Sequence, residues 1–167
     1  GLNSKSISEK YQINNLYSDY HDILKEESID LIFGMTRNSL HANIVCDALL
    51  KNKNVFIEKP LGINFEELDE IEKAWKKSTK AVMVGFNRRF APFTKEIKTF
   101  FENRVSPMIA YYRVNAENVP HDHWVYDKKE GNGRIISEAC HFIDYLTFVI
   151  GSKPIEVVAN SISTQKS

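Results

Sequence analysis

The succession of short apolar runs and amphipathic stretches constrains the fold of this chain more than any other feature. Residues 29–35, 55–57 and 81–86 are largely apolar, and stretches with helical periodicity lie between them. Apolar runs of this kind are typical of strands that are buried on both faces. Strands that alternate with amphipathic helices predict a parallel sheet with right-handed crossover connections. The first half therefore predicts an α/β fold, with a further short strand at residues 14–17.

The helices between these strands have recognisable first residues. Ser18 or Asp19, Asn38 and Asn64 each precede a stretch of helical periodicity, and such side chains favour the N-cap position. The apolar positions of the two longer helices are Ile44, Val45, Ala48 and Leu49 in the first, and Phe65, Leu68, Ile71 and Trp75 in the second. Because they recur every three or four residues, we expect them to face the core.

The pattern changes after residue 90, where longer strands accompany the helices. It predicts helices at 92–101 and 134–150, the second ended by Gly151, and strands at 108–117 and 155–162. We therefore expect two domains. Residues 1–86 form part of a Rossmann-like parallel sheet, and residues 87–167 form part of an α+β domain.

The balance of charges argues against several classes of partner. The 167 residues contain 22 Lys and Arg against 22 Asp and Glu. A neutral chain without basic clusters gives no support for a nucleic-acid or anionic-membrane partner. The apolar runs are far shorter than the ~20 residues that span a bilayer. Cys46 and Cys140 lie in apolar helical patterns, which predicts buried thiols and a cytoplasmic protein.

Lys59 is the first candidate for chemistry. Glu58, Lys59 and Pro60 follow the apolar run that ends at Ile57, so the lysine lies where a buried strand leads into a turn. Ligands of open α/β sheets bind outside the carboxyl ends of the strands. A partly buried lysine there can act as an acid or a base. A surface lysine beside a turn proline is the alternative, and it is the more common arrangement.

A polar stripe on the helix at 134–150 is the second candidate. Helical spacing places five polar side chains on one side of it: Ser137, Glu138, His141, Asp144 and Tyr145. His141 thus has a carboxylate one turn before it and another one turn after it, and such a partner can fix the imidazole tautomer. An ordinary surface ion pair is the alternative. His121 and His123 match no compact zinc pattern with His141, so we predict no metal site.

Four segments together carry a family resemblance: TRNSLH at 36–41, VFIEKPL at 55–61, VGFNRRF at 84–90 and GRIISEACHFID at 133–144. In this order and spacing the chain resembles the Gfo/Idh/MocA oxidoreductases, especially the reductase half of the bacterial bi-domain oxidoreductases. The resemblance implies a Rossmann domain that binds NAD or NADP, followed by an α+β domain whose sheet forms a homo-oligomer contact. It also implies a dehydrogenase that transfers a hydride to or from a carbinol carbon of a sugar, nucleotide sugar or cyclitol.

The resemblance assigns roles to individual residues. Lys59 matches the lysine that hydrogen-bonds the reacting hydroxyl, and His141 matches its partner acid/base on the long helix. The positions implied beside the cofactor are Thr36, Asn38, His41, Glu58, Pro60, Asn87 and Arg88. The residues that we expect to shape the choice of substrate are Asn115, His123, Trp124 and Glu138.

Two departures from the family pattern are visible. Ser137 stands where many relatives carry an aspartate, and the sequence contains no G-x-G-x-x-G phosphate loop. We therefore expect the chain to be part of a longer protein and to bind dinucleotide weakly or not at all by itself. We also expect one edge of the strand at 29–35 to be unpaired. A non-catalytic module that kept the fold for assembly or ligand sensing is the alternative function.

Overall fold

The computed structural model describes residues 2–161. The helices are α1 Leu2–Tyr11, α2 Tyr20–Lys25, α3 His41–Leu50, α4 Phe65–Lys76, α5 Pro92–Phe100 and α6 Cys140–Ile150. The strands are β1 Leu31–Gly34, β2 Asn54–Ile57 and β3 Val82–Val84. Short 3-10 turns lie at Asn38–Leu40, Asn87–Phe90 and Trp124–Tyr126, and a π-helical turn lies at Ile135–Ala139.

The three strands form one parallel sheet in the order β1-β2-β3. Gly34 pairs with Ile57 and Ile57 pairs with Val84, so the carboxyl ends of the strands lie side by side. The α/β prediction for this half of the chain is confirmed, and β1 is an edge strand as expected. The apolar residues predicted for α3 are all buried and form the core together with Val55, Ile57 and Ile71.

The sheet is covered on one face in the described residues. Val55 and Ile57 are 1% and 0% exposed, whereas Phe33 on β1 is 59% exposed and Met83 on β3 is 47% exposed. The prediction that these strands are buried on both faces is therefore wrong here. Alternate residues of a strand point to opposite faces of the sheet, so one set packs against the helices and the other set lies on the exposed face.

Two of the three predicted helix caps are confirmed. The Asp19 carboxylate accepts a hydrogen bond from His21 N at 2.9 Å, and the Asn64 side chain accepts one from Glu67 N at 2.8 Å. Asn38 does not cap α3, since it lies within a 3-10 turn and α3 begins at His41. The Asn38 side chain instead makes a long-range hydrogen bond, described below.

Three predicted strands are absent. Residues 14–17, 108–117 and 155–161 have no strand structure, and residue 162 lies outside the described residues. A strand needs a hydrogen-bonded neighbour, and none of these segments has one in the described part of the chain. Several of their apolar side chains are open to solvent, and Ile109 and Ile155 are almost fully exposed.

The predicted helix at 134–150 forms, but as two parts. A π-helical turn covers Ile135–Ala139, and α6 continues from Cys140 to Ile150. Gly151 follows with φ of 78° and donates its N–H to the carbonyl oxygen of Thr147 at 3.0 Å. This is the left-handed conformation that favours glycine directly after a helix.

The described residues form two compact units. The first unit contains residues 2–85 and 118–140, and the second contains residues 86–117 and 141–161. The division into domains at residue 86 stays a prediction. Among the described residues, every helix is too short or too polar to cross a membrane.

Candidate active site

Lys59 lies directly after β2, at the carboxyl edge of the sheet. The side chain is half-buried, and its Nζ donates a hydrogen bond to the carbonyl oxygen of Ser137 at 2.7 Å. The peptide bond between Lys59 and Pro60 is cis. The structure therefore places this lysine where ligands of parallel sheets bind, with its ammonium group held by a main-chain acceptor.

Ser137 is the centre of a buried hydrogen-bond chain. The side-chain amide of Asn38 donates to Ser137 Oγ at 2.9 Å, and Ser137 Oγ donates to the carbonyl oxygen of Gly131 at 2.7 Å. Asn38 is 6% exposed and Ser137 is 4% exposed. The side-chain amide of Asn38 is thus bonded to Ser137 of the same chain. Because Asn38 is buried, it can support the site but does not face solvent.

His41 connects the ends of two strands. Its ring is fully buried, with Nδ1 2.7 Å from the carbonyl oxygen of Pro60 and Nε2 3.2 Å from the carbonyl oxygen of Thr36. Thr36 follows β1 and Pro60 follows β2. His41 is therefore placed to fix the backbone around both segments.

Glu58 and Gly85 shape the same edge. Glu58 N donates to Gly34 O at 2.9 Å, and Gly85 N donates to Ile57 O at 2.7 Å, so both extend the ladder beyond the strands. A Cβ atom on Gly85 would lie 3.1–3.2 Å from the Glu58 carboxylate. Glycine thus leaves room for the Glu58 side chain over the end of β3. With the exposed Thr36, this makes a polar edge whose carboxylate and hydroxyl groups can hydrogen-bond to the hydroxyls of a ligand.

Arg37 holds the loop that precedes the π-helical turn. Its guanidinium donates to Glu130 Oε2 at 2.9 Å and lies 5.3 Å from the centre of the Trp124 ring. Trp124 is half-buried, whereas His123 is exposed and its Nδ1 accepts from Val125 N at 3.3 Å. Neither spacing nor composition singles out Arg37 in the sequence. Its position between Thr36 and Asn38 is the one signal that could have drawn attention to it.

The second unit contains Asn87, Arg88 and Asn115 from the predicted set. Asn87 and Arg88 begin a 3-10 turn, and both side chains are exposed. The Arg88 guanidinium lies 5.0 Å from the centre of the Phe142 ring. Asn115 Oδ1 accepts from Arg113 Nε at 3.1 Å on an exposed segment. Within this unit, the Arg88 side chain is therefore held against the Phe142 ring, and the Asn115 side chain is held by its hydrogen bond with Arg113.

The carboxylates on either side of His141 engage arginines. In the second unit, Asp144 pairs with Arg89 through two hydrogen bonds, one of them 2.7 Å from Arg89 Nε to Asp144 Oδ2. This hydrogen bond raises the pKa of Arg89 above its usual value. In the first unit, Glu138 accepts from Arg134 Nε and Nη2 at 2.9 and 2.6 Å. Arg89 reaches both oxygens of Asp144, which is the bidentate geometry that makes such pairs strong, whereas the two bonds from Arg134 both end on Glu138 Oε2. The described residues contain no group of three or more His, Cys, Asp or Glu side chains placed to hold a metal ion.

His141 itself belongs to the second unit. The ring is half-buried and lies 6.1 Å from the Phe86 ring, measured between ring centres, with the planes tilted by 59°. The aromatic neighbour restricts the orientation of the imidazole.

Comparison with known proteins gives three findings. The Gfo/Idh/MocA model, described as an oxidoreductase family with an NAD-binding Rossmann fold, matches residues 2–86. The uncharacterized oxidoreductase YrbE of Bacillus subtilis is 32% identical over 155 residues, and the myo-inositol 2-dehydrogenase of Thermotoga maritima is 25% identical over 156 residues. Both matches cover 93% of this chain, and 45% and 46% of the relatives. The chain thus spans about half the length of the curated relatives that it matches.

The fold is also similar to part of a solved enzyme. A levoglucosan dehydrogenase in complex with NADH and levoglucosan superposes with a TM-score of 0.73 at 25% identity, over 88% of this chain and 42% of that chain. The described sheet and helices therefore correspond to part of a Rossmann-type oxidoreductase.

Proposed function

Because the chain belongs to the Gfo/Idh/MocA family of oxidoreductases, we propose that the protein transfers a hydride between NAD or NADP and a carbinol carbon of a sugar, nucleotide sugar or cyclitol. The observation that carries the proposal is the placement of Lys59. It follows β2 at the carboxyl edge of the sheet, is half-buried, and has its Nζ 2.7 Å from the carbonyl oxygen of Ser137.

The substrate class is supported by the names of the similar proteins. One is a myo-inositol 2-dehydrogenase, and another was solved with levoglucosan and NADH. Both compounds are polyhydroxylated rings with secondary hydroxyl groups. Oxidation of such a group removes a hydride from carbon and a proton from oxygen, and leaves a ketone. The bound nicotinamide supplies the hydride acceptor, so the protein must supply a base near the hydroxyl.

We assign the proton to Lys59. In its neutral form the amine has one lone pair, which takes the hydroxyl proton as the hydride leaves, and the ammonium returns that proton in the reverse reaction. The Ser137 carbonyl accepts one N–H of this group and so restricts where Nζ lies. Such restriction is what makes an acid/base effective, because the donor and acceptor must be within hydrogen-bond reach. We also propose His141 as an acid/base of the reaction, the role that the family resemblance implies.

The remaining residues have binding or supporting roles in this proposal. Thr36 and Glu58 form the edge that faces the ribose of the cofactor, and the buried Pro60 shapes the turn behind it. Asn38 and His41 support that edge from inside, because both are buried and bonded to protein groups. The roles of Asn87 and Arg88 beside the cofactor are likewise proposals. We assign substrate contacts to Asn115, His123, Trp124 and Glu138, and we propose a cytoplasmic homo-oligomer.

A substrate panel tests the proposal. The protein expressed from its complete gene is incubated with NAD or NADP and with inositols, levoglucosan or nucleotide sugars, and with a primary alcohol and a 2-hydroxy acid as controls. We expect reduced nicotinamide with at least one ring polyol, and transfer of deuterium from its carbinol carbon to the cofactor. Binding of a polyol without any oxidation under these conditions would contradict the proposal and favour the non-catalytic module.

A further inference from the structure

We propose that Ser137 is a positioning residue that sets the place of Lys59. The inference rests on the proposed function, since it assumes that Lys59 moves the substrate proton. Ser137 presents its main-chain carbonyl oxygen to Lys59 Nζ at 2.7 Å, while its side chain is tied down by two other groups. One buried residue therefore joins the lysine to two further segments of the first unit.

The hydroxyl of Ser137 is suited to this task because it both accepts and donates. It accepts from the amide of Asn38, which follows β1, and it donates to the carbonyl of Gly131, which closes the preceding loop. All three groups are buried. An alanine at position 137 would leave the Asn38 donor and the Gly131 acceptor buried without this partner, which is unfavourable for both.

The backbone around Ser137 is unusual in the same place. Residues Ile135–Ala139 form a π-helical turn, in which Cys140 N donates to Ile135 O. Turns of this type are rare and occur frequently at functional sites. A π-helical turn is wider than an α-helical one, so its carbonyl groups point in different directions. We infer that the two hydrogen bonds of Ser137 Oγ hold the Ser137 carbonyl in the direction that Lys59 requires.

Gly131, whose carbonyl oxygen is the last acceptor in this chain of hydrogen bonds, is held in place by close packing. A Cβ atom at this position would lie 2.5–2.8 Å from backbone atoms of Val125. The Gly131 backbone is therefore packed directly on the backbone of Val125, and its carbonyl cannot shift freely. The hydroxyl of Ser137 is thus bonded to a rigid acceptor on one side and to a buried amide on the other.

Kinetics of Ser137 variants in the protein from its complete gene provide the first part of the test. We expect Ser137→Ala to lower kcat about 10- to 100-fold, since a small misplacement of a reacting group has effects of this size, while KM for the cofactor changes little. Ser137→Thr keeps the hydroxyl and should recover most of the rate. Ser152→Ala, an exposed serine in the second unit, is the matched control and should leave kcat unchanged.

A double variant separates positioning from a general structural role. If Ser137 acts through Lys59, Ser137→Ala causes no further loss of kcat in the Lys59→Ala background. A full additional loss in that background overturns the inference, and so does a wild-type kcat for Ser137→Ala. If Ser137→Ala does not fold, Ser137→Cys replaces it in both measurements, because the thiol is of similar size and a weak hydrogen-bonding group. Retained turnover in Lys59→Ala alone would instead reject the role assigned to Lys59 under the proposed function, so the two failures are distinguishable.

Discussion

At the scale of single residues, two lysines with main-chain partners have different surroundings. Lys53 is 5% exposed, and its Nζ donates to the carbonyl oxygens of Glu26 and Ile29, both at 2.6 Å. Lys59 is half-buried and makes one such bond in the described residues, to Ser137. An ammonium group has three N–H donors. The buried Lys53 uses two of them to hold the main chain, which indicates a structural role. Lys59 uses one in the described residues and so keeps N–H groups for a ligand.

The environment of Lys53 leads to a stability prediction. Lys53→Met removes two hydrogen bonds and leaves two carbonyl groups partly desolvated, so we expect the free energy of unfolding to fall by about 1–3 kcal/mol. Urea denaturation measures the change. Lys51→Met is the control, because Lys51 is exposed two residues away and should change stability by less than about 0.5 kcal/mol. Equal, small effects of the two substitutions would contradict the structural role of Lys53.

The sequence identified some of these residues and missed others for a physical reason. Lys59 follows an apolar run and a proline follows it, so its place at a strand end is a local property that periodicity indicates. The role of Ser137 depends on Asn38, which is 99 positions earlier in the chain. Contacts of that range are set by packing. For the same reason the local pattern predicts a helix cap at Asn38, whereas its amide donates to Ser137 Oγ.

At the scale of elements, helices were predicted far better than strands. The predicted helices α3, α4, α5 and α6 all form, because periodicity and capping residues act within one segment. The strands at 108–117 and 155–161 do not form. Their apolar composition is compatible with a strand, but a strand is stable only beside a partner, which a local pattern does not reveal.

The loop before the π-helical turn depends on a glycine. A Cβ atom at Gly131 would approach backbone atoms of Val125 to 2.5–2.8 Å, and backbone atoms cannot move aside by a rotamer change. We expect Gly131→Ala to lower the free energy of unfolding by about 1–3 kcal/mol, as for other overpacked sites. Lys129→Ala in the same loop is exposed and serves as the control. Denaturation midpoints that coincide for both variants would show that the close packing at Gly131 is unimportant.

The contact between α2 and α3 should make stability depend on alkaline pH. Tyr20 donates to Asp47 Oδ2 at 2.6 Å. Burial, followed by this hydrogen bond and the charge of Asp47, raises the pKa of Tyr20 to about 12, compared with about 10 in the unfolded chain. The folded state therefore favours the neutral phenol, so this contribution is present below about pH 10 and is lost as the pH rises towards 12.

Comparison with Tyr20→Phe isolates that contribution, because the other tyrosines are shared. We expect the difference in the free energy of unfolding between the wild type and Tyr20→Phe to change by up to about 2 kcal/mol between about pH 9 and about pH 12, with the wild type losing stability. Urea denaturation across this range measures it. A difference that stays constant with pH would contradict the coupling.

At the scale of the whole molecule, the described residues leave one edge and one face of the sheet exposed. One edge of β1 is unpaired in the described residues, and Phe33 and Met35 are 59% and 71% exposed. The matched relatives are about twice as long as this chain. Oligomerisation stays a prediction. Residues 108–117 and 155–161, which we expected to form the C-terminal sheet for this contact, have no strand structure here.

The family and the Rossmann-type fold are established by the matched model and the superposed dehydrogenase. Within that frame, the described residues supply one edge of a parallel sheet, a lysine at its centre strand and a buried network that holds the lysine. The central claim is that this lysine moves the proton of the substrate hydroxyl.

The turnover of Lys59→Ala tests that claim most directly. In the protein from its complete gene, kcat is measured with NAD and a polyol that the wild type oxidises. NADH affinity is measured by fluorescence titration, with the exposed Lys73→Ala as the control. We predict that Lys59→Ala lowers kcat by about 10²- to 10⁴-fold, the range for loss of a general acid/base, with NADH affinity and the control unchanged. A kcat close to that of the wild type, with NADH affinity retained, would contradict the account.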